Sequence, residues 1–148
     1  MMDFMAAKGF EAAGRPDIAH VLARRAVEAV ARVYAGTGAL WESYSPTAFE
    51  PGKNWGHRVR KFVGFSGTVP VALLIENVFG IRVRIGRGGR PAIDWDIRLD
   101  EPHGIGGLVL ADGNRVDLRF DGAKASASSA TPVEIRIFRN GKPLETKP

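Results

Sequence analysis

The chain reads as an α+β protein, helices first and strands after, on three observations. Apolar residues recur at helical spacing within residues 1–80. After Gly80 the pattern changes to short segments that alternate apolar and polar residues. Turn pairs such as Asn140-Gly141 divide those segments at regular intervals. We therefore expect a helical region at residues 1–80 and a small antiparallel β-sandwich at residues 81–148.

Residues 1–13 are rich in alanine and methionine, which favour helix, and Gly14 is a natural C-terminal stop. Arg15-Pro16-Asp17 restarts a helix, with Pro16 tolerated in its first turn. Ile18, Leu22, Ala26, Val30 and Val33 then recur on one stripe, widened by Val21 and Ala29 and flanked by Arg24, Arg25, Glu28 and Arg32. The spacing predicts an end near Ala35, before Gly36-Thr37-Gly38, and so a helical hairpin with His20 on its surface. Residues 36–67 form a long connection with Pro46, Pro51, Gly52, Gly56 and Gly64, and long connections in compact domains are usually functional. A further helix is expected over residues 67–78, apolar nearly all round and therefore buried on most sides.

Ile81-Arg82-Val83-Arg84-Ile85 and Ile93-Asp94-Trp95-Asp96-Ile97-Arg98-Leu99 alternate as half-buried strands do. Leu108-Val109-Leu110 and Arg115-Val116-Asp117-Leu118-Arg119-Phe120 flank the turn Asp112-Gly113-Asn114, and residues 133–138 and 142–144 flank Asn140-Gly141; both are hairpin signals. Residues 123–130 are a run of small side chains, either a weak strand or a loose link. His103-Gly104-Ile105-Gly106-Gly107 reads as a glycine-rich turn, without the strand-to-helix context or lysine of a phosphate loop.

A length of 148 residues supports one ordinary domain or two small ones. No apolar run approaches the roughly 20 residues of a membrane-spanning helix, so no membrane role is expected. The start, Met1-Met2-Asp3-Phe4, lacks the pattern of a signal peptide, and a cytoplasmic location is expected. With no cysteine there are no disulfides and no thiolate metal sites. The net charge of +5 is spread, with nine basic and seven acidic residues in 1–80 and twelve and nine in 81–148. Nucleic-acid binders concentrate such charge on one stripe, so that role is disfavoured; only His57-Arg58-Val59-Arg60-Lys61 resembles a basic patch. Asp94, Asp96 and Asp100 alternate along an expected strand as a solvated face, and nothing completes a calcium ligand set, so no metal or other cofactor is expected.

Glu42 lies between Trp41 and Tyr44, just past an expected helix end. Taken alone it reads either as a solvated loop carboxylate or as a catalytic group. Three segments bear on that choice: Trp41-Glu42-Ser43-Tyr44-Ser45-Pro46, Phe62-Val63-Gly64-Phe65-Ser66-Gly67 and Leu73-Leu74-Ile75-Glu76-Asn77-Val78-Phe79-Gly80. Together they resemble the C-terminal end of the catalytic barrel in (α/α)6 glycoside hydrolases. The pattern is closest to the family 63 glucosidases and the bacterial relatives that cleave glucosyl- or mannosylglycerate, with the trehalases further off. The resemblance covers roughly residues 1–80, and residues 81–148 are more loosely similar to the β-domain that follows the barrel in several bacterial relatives. Phe65 stands where the family usually has Trp, and Lys61 where an acidic residue is common.

The resemblance implies that residues 1–80 are the last helices of an (α/α)6 toroid and that Glu42 is the general base of an inverting hydrolase. Such a base activates water on the sugar face opposite the acid that protonates the leaving oxygen. Trp41, Tyr44, Trp55, His57 and Phe65 are then the substrate-binding candidates, the aromatic rings offering faces to a sugar and His57 a donor. On residues alone, Trp55 reads first as a plug against the core and second as a stacking ring, and His57 first as an exposed side chain and second as a donor. The family's general acid is an Asp far upstream; Asp3 and Asp17 lie at helix starts, where acidic residues act as caps or dipole partners. The expected partner is therefore carbohydrate. Another chain or a barrel region N-terminal to this sequence would supply the acid, and either of these or a second copy would cover the exposed apolar helices. A non-catalytic sugar-binding module is the alternative.

Overall fold

Small side chains set the contact between the first two helices. The computed structural model describes residues 2–54, 57, 58, 61 and 64–144. It divides into two units, Met1–Val78 and Phe79–Pro148. In the first, α1 (Met2–Ala12) packs on α2 (Pro16–Thr37), and Ala7, Ala19 and Ala23 are fully buried. Larger residues at such positions would hold helix backbones apart. Gly14, at φ 72°, ends α1 in a Schellman motif: Arg15 N–H donates to the Phe10 carbonyl at 2.8 Å and Gly14 N–H to that of Glu11 at 3.0 Å. α2 continues past Ala35 to Thr37 and stops at left-handed Gly38, whose N–H donates to the Tyr34 carbonyl at 2.7 Å.

The connection after α2 contains two paired two-residue strands, β1 (Lys53–Asn54) and β2 (His57–Arg58). α3 (Phe65–Leu73) begins two residues earlier than the apolar pattern suggests and runs into a π-helical turn, Leu74–Val78. Pro70 inside α3 removes an N–H that a regular helix would use. The burial expected all round this helix is found on one side only: Leu73 is buried, whereas Phe65 and Val71 are exposed. Asn77, on the π-turn, is 3% exposed; its amide donates to Glu11 and its carbonyl accepts from Nδ1 of His20 at 2.8 Å. His20 is thus half-buried and ties α2 to the π-turn, not a surface residue as the sequence suggests. No described helix is long and apolar enough to cross a membrane.

The second unit holds β3 (Ile81–Ile85), β4 (Pro91–Ile97), β5 (His103–Val109), β6 (Arg115–Phe120), β7 (Ala125–Ser129), β8 (Glu134–Arg139) and β9 (Lys142–Pro143). One sheet has the order β3-β4-β8-β9 and the other is the antiparallel meander β5-β6-β7. The first sheet is mixed, not antiparallel throughout: β4 and β8 pair in parallel, Ile93 opposite Ile135 and Trp95 opposite Ile137. The meander lies between them in sequence and returns the chain in the same direction. Alternation has the same period for either pairing direction, so the sequence pattern is blind to it.

Central β4 buries Ala92, Ile93, Trp95 and Ile97 completely, and the Trp95 indole N–H donates to the Phe79 carbonyl at 3.0 Å. The ring of His103 on β5 lies 5.4 Å from those of Phe79 and Phe120 and 6.3 Å from Trp95, so strands of both sheets share one aromatic cluster. Residues 103–107 are therefore a bulged strand and not a turn, with the register shift between Ile105 and Leu108. Glycine is required there by close approach: a Cβ on Gly104 would lie 2.1 Å from the Leu118 carbonyl oxygen. The small-residue run forms β7, an edge strand with exposed serines.

Asp94 does not face solvent alone. Arg84 Nε and Arg136 Nε donate to its Oδ1 at 2.8 and 2.6 Å, and Arg84 also pairs with Glu134. Asp96 accepts from the Gly141 amide at 2.8 Å and pairs with Arg98. Arg136 first, and Arg84 after it, hold the Asp94 carboxyl below the usual carboxylate range.

Gly104→Ala is expected to destabilise the protein by about 2–3 kcal/mol, because the methyl meets backbone that cannot yield. Gly106→Ala, whose nearest foreign atom would be 3.7 Å away, is nearly neutral in the same urea titration. Because Asp94 has a depressed folded pKa, its contribution is present above the unfolded carboxylate pKa of about 3.9 and disappears as pH falls through the lower folded value. Thermal melts between pH 6 and 2 should show a shallower acid loss in Asp94→Asn than in the parent chain.

Candidate functional site

The helical unit encloses a cavity of about 400 Å³ whose lining comes from four places in the sequence. Ala26 and Val30 of α2 form one apolar wall, and Val69, Pro70 and Leu73 of α3 another. Glu42, Ser43 and Tyr44 contribute from the connection after α2, Phe65 and Ser66 from the start of α3, and Met2 and Asp3 from the start of α1. Apolar walls with a few convergent polar groups are the ordinary make-up of a small-molecule site.

Local bonding fixes the connection that carries Glu42. The Thr37 hydroxyl at the end of α2 donates to the Val33 carbonyl at 2.8 Å and accepts from the Trp41 indole N–H at 3.0 Å. That double use places the Trp41 ring inside the unit, 7% exposed, with its only polar atom satisfied. The Tyr44 hydroxyl accepts the Trp41 backbone N–H at 3.2 Å and keeps its own proton for donation. Trp41 and Tyr44 form isolated bridges with Lys61 and Pro51. Ser45 N–H donates to the Glu50 carbonyl at 3.1 Å and Gly52 N–H to that of Ser43 at 2.9 Å. A Cβ on Gly52 would lie 2.3 Å from Ser43 Oγ, so the connection folds back on itself there with no room for a side chain.

Of the residues singled out in the sequence, Glu42, Tyr44 and Phe65 are brought together on the cavity. Glu42 is exposed and Phe65 is 67% exposed, so both are open to a solute. Trp41 lies inside, with Lys61 Nζ 5.8 Å from its ring centroid, and does not line the cavity. Trp55 lies outside the described residues, as do Phe62 and Val63 of the second motif segment. The backbone of His57 is described in β2; its side chain is not.

The structure adds Asp3, Ser43 and Ser66. Asp3 sits in the first turn of α1, where a sequence reader assigns it to the helix dipole. Only the shared lining, with the start of α1 beside the connection after α2, reveals a second carboxylate on the cavity that holds Glu42. Two carboxylates, two serine hydroxyls and a tyrosine over apolar walls can accept and donate to the hydroxyl groups of a small polar ligand. No family model, curated protein or solved structure matches the chain.

Thr37→Val tests the anchor of the site. It leaves the buried Trp41 N–H without an acceptor and is expected to cost about 1–3 kcal/mol in urea denaturation, whereas Thr37→Ser retains most of the stability.

Proposed function

We propose that this chain derives from an inverting glycoside hydrolase acting on an α-glucoside or related small glycoside. In this reading the helical unit is the closing part of an (α/α)6 toroid, the β unit is its C-terminal sandwich, and Glu42 stands in the general-base position. The observation that carries the proposal is the presence of Glu42, Tyr44 and Phe65 on one cavity of about 400 Å³. The segments resembling the glycosidase barrel thus converge on a space a sugar ring could enter. The aromatic cluster shared by strands of the two sheets supports the sandwich.

The chemistry asks Glu42 to remove a proton from water attacking the anomeric carbon while another group protonates the leaving oxygen. Tyr44 carries a free hydroxyl proton beside the Glu42 segment, and Phe65 offers an apolar face to a ring. Met2, Phe65 and Val71 are 78%, 67% and 54% exposed, apolar surface of the kind a completing segment, partner chain or second copy covers. The general acid of the family position would come from that completing part. The alternative, a sugar-binding module without turnover, loses support at Trp41: its indole is buried against Thr37 and unavailable for stacking.

α-Glucosyl fluoride separates the readings, because fluoride departs without protonation and the base alone suffices. The parent chain, lacking the acid, is expected to be inactive on ordinary α-glucosides and to release fluoride and β-glucose from this substrate. Glu42→Gln should lower that rate by a factor on the order of 10²–10⁴ and change folding stability by under about 0.5 kcal/mol, since the side chain is exposed. Asp3→Asn should leave fluoride hydrolysis intact if Asp3 is not the base. Glucose binding without fluoride release would favour the binding module, and absence of both would reject a carbohydrate role.

A further inference from the structure

The β unit carries a second and larger cavity, about 670 Å³, at the connection between β3 and β4. Gly86-Arg87-Gly88-Gly89-Arg90 makes that connection, with Gly88 and Gly89 both left-handed at φ 66° and 75°. Gly86 N–H donates to the Arg90 carbonyl at 2.7 Å, closing the loop. A Cβ on Gly86 would lie 2.8 Å from that of Ala92 and 3.1 Å from Glu134 Oε2, so the loop is seated directly on β4 and β8. The loop is therefore a held feature of the sheet end, and Arg87 and Arg90 both project from it into the cavity lining.

The charges around it sort unevenly. Asp94 takes Arg136 and shares Arg84, and Glu134 takes the other side of Arg84. Two carboxylates thus satisfy two guanidinium groups. Arg87 and Arg90 are left with no carboxylate partner among the described residues, and both are exposed. The same lining contains Asp112, whose Oδ1 accepts from the Asn114 backbone N–H at 3.0 Å, leaving Oδ2 open, and Thr131. Guanidinium forks match planar and tetrahedral oxyanions, whereas a carboxylate and a hydroxyl suit the O–H groups of a polyol. The volume falls within the ~300–1,000 Å³ usual for small-ligand pockets.

We propose that this cavity binds a small hydroxylated anion, a sugar acid or a sugar phosphate. Arg87 and Arg90 hold the oxyanion, and Asp112 and Thr131 receive the hydroxyl groups. A simple anion would lack the second set of contacts, and a neutral sugar the first. The site lies in the β unit and does not depend on the reading of Glu42.

Calorimetric titration of the whole chain with gluconate, glucose 6-phosphate, inorganic phosphate and glucose tests it. One or both sugar anions should bind more tightly than phosphate or glucose, and the tighter of the two identifies the anion as carboxylate or phosphate. Arg87→Gln and Arg90→Gln should each weaken that binding about tenfold or more, with circular dichroism unchanged because both side chains are exposed. Asp112→Asn should weaken the sugar anions and spare inorganic phosphate, and Glu42→Gln should have no effect. Undetectable binding of both sugar anions, or equal binding by the double arginine variant, would overturn the proposal. So would phosphate binding as tight as that of the sugar anions.

Discussion

A buried indole must find a partner for its N–H, and both tryptophans within the described residues meet that demand with a nearby oxygen. Trp41 donates to the Thr37 hydroxyl and Trp95 to the Phe79 carbonyl, each at 3.0 Å. An unsatisfied buried donor costs about 1–3 kcal/mol, a large share of what burying such a ring contributes. In the helical unit this bond pins the chain as it leaves α2, so the adjacent Glu42 is presented at the cavity while its neighbour is withdrawn. In the β unit it anchors the central strand, around which Ile93 and Ile97 are also buried.

The cavity beside Glu42 joins groups that have little to say singly. Asp3 is one acidic residue at a helix start, and Ser43 and Ser66 are ordinary hydroxyls. Their shared lining with Glu42 and Tyr44 makes a polar rim over apolar walls of α2 and α3. Exposed apolar side chains at Met2, Phe65 and Val71 belong to the same helical unit and fit the proposal that further protein covers it.

Charge in the β unit shows the same dependence on arrangement. The alternating Asp94-Trp95-Asp96 reads as a solvated acidic face, yet each carboxylate is occupied by arginine or by backbone N–H. Parallel pairing of β4 with β8 sets Asp94 opposite Arg136 and Ala92 opposite Glu134. Those pairings consume Arg84 and Arg136 and leave Arg87 and Arg90 as the cations facing the larger cavity.

The amino-acid sequence by itself determined the order of helices and strands, the stop at Gly14, and the hairpins at Gly113 and Asn140-Gly141. These features are local: periodicity, φ preference and turn chemistry act within a few residues. It also offered Glu42, Tyr44 and Phe65 as candidates, from two segments about twenty residues apart. Tertiary structure alone decided the parallel pairing, the strand character of residues 103–107, the inward place of His20 and Trp41, and the meeting of Asp3 with Glu42 on one cavity. Each of those depends on contacts between residues far apart in sequence, where alternation is indifferent to direction and a glycine run signals close approach as readily as a turn.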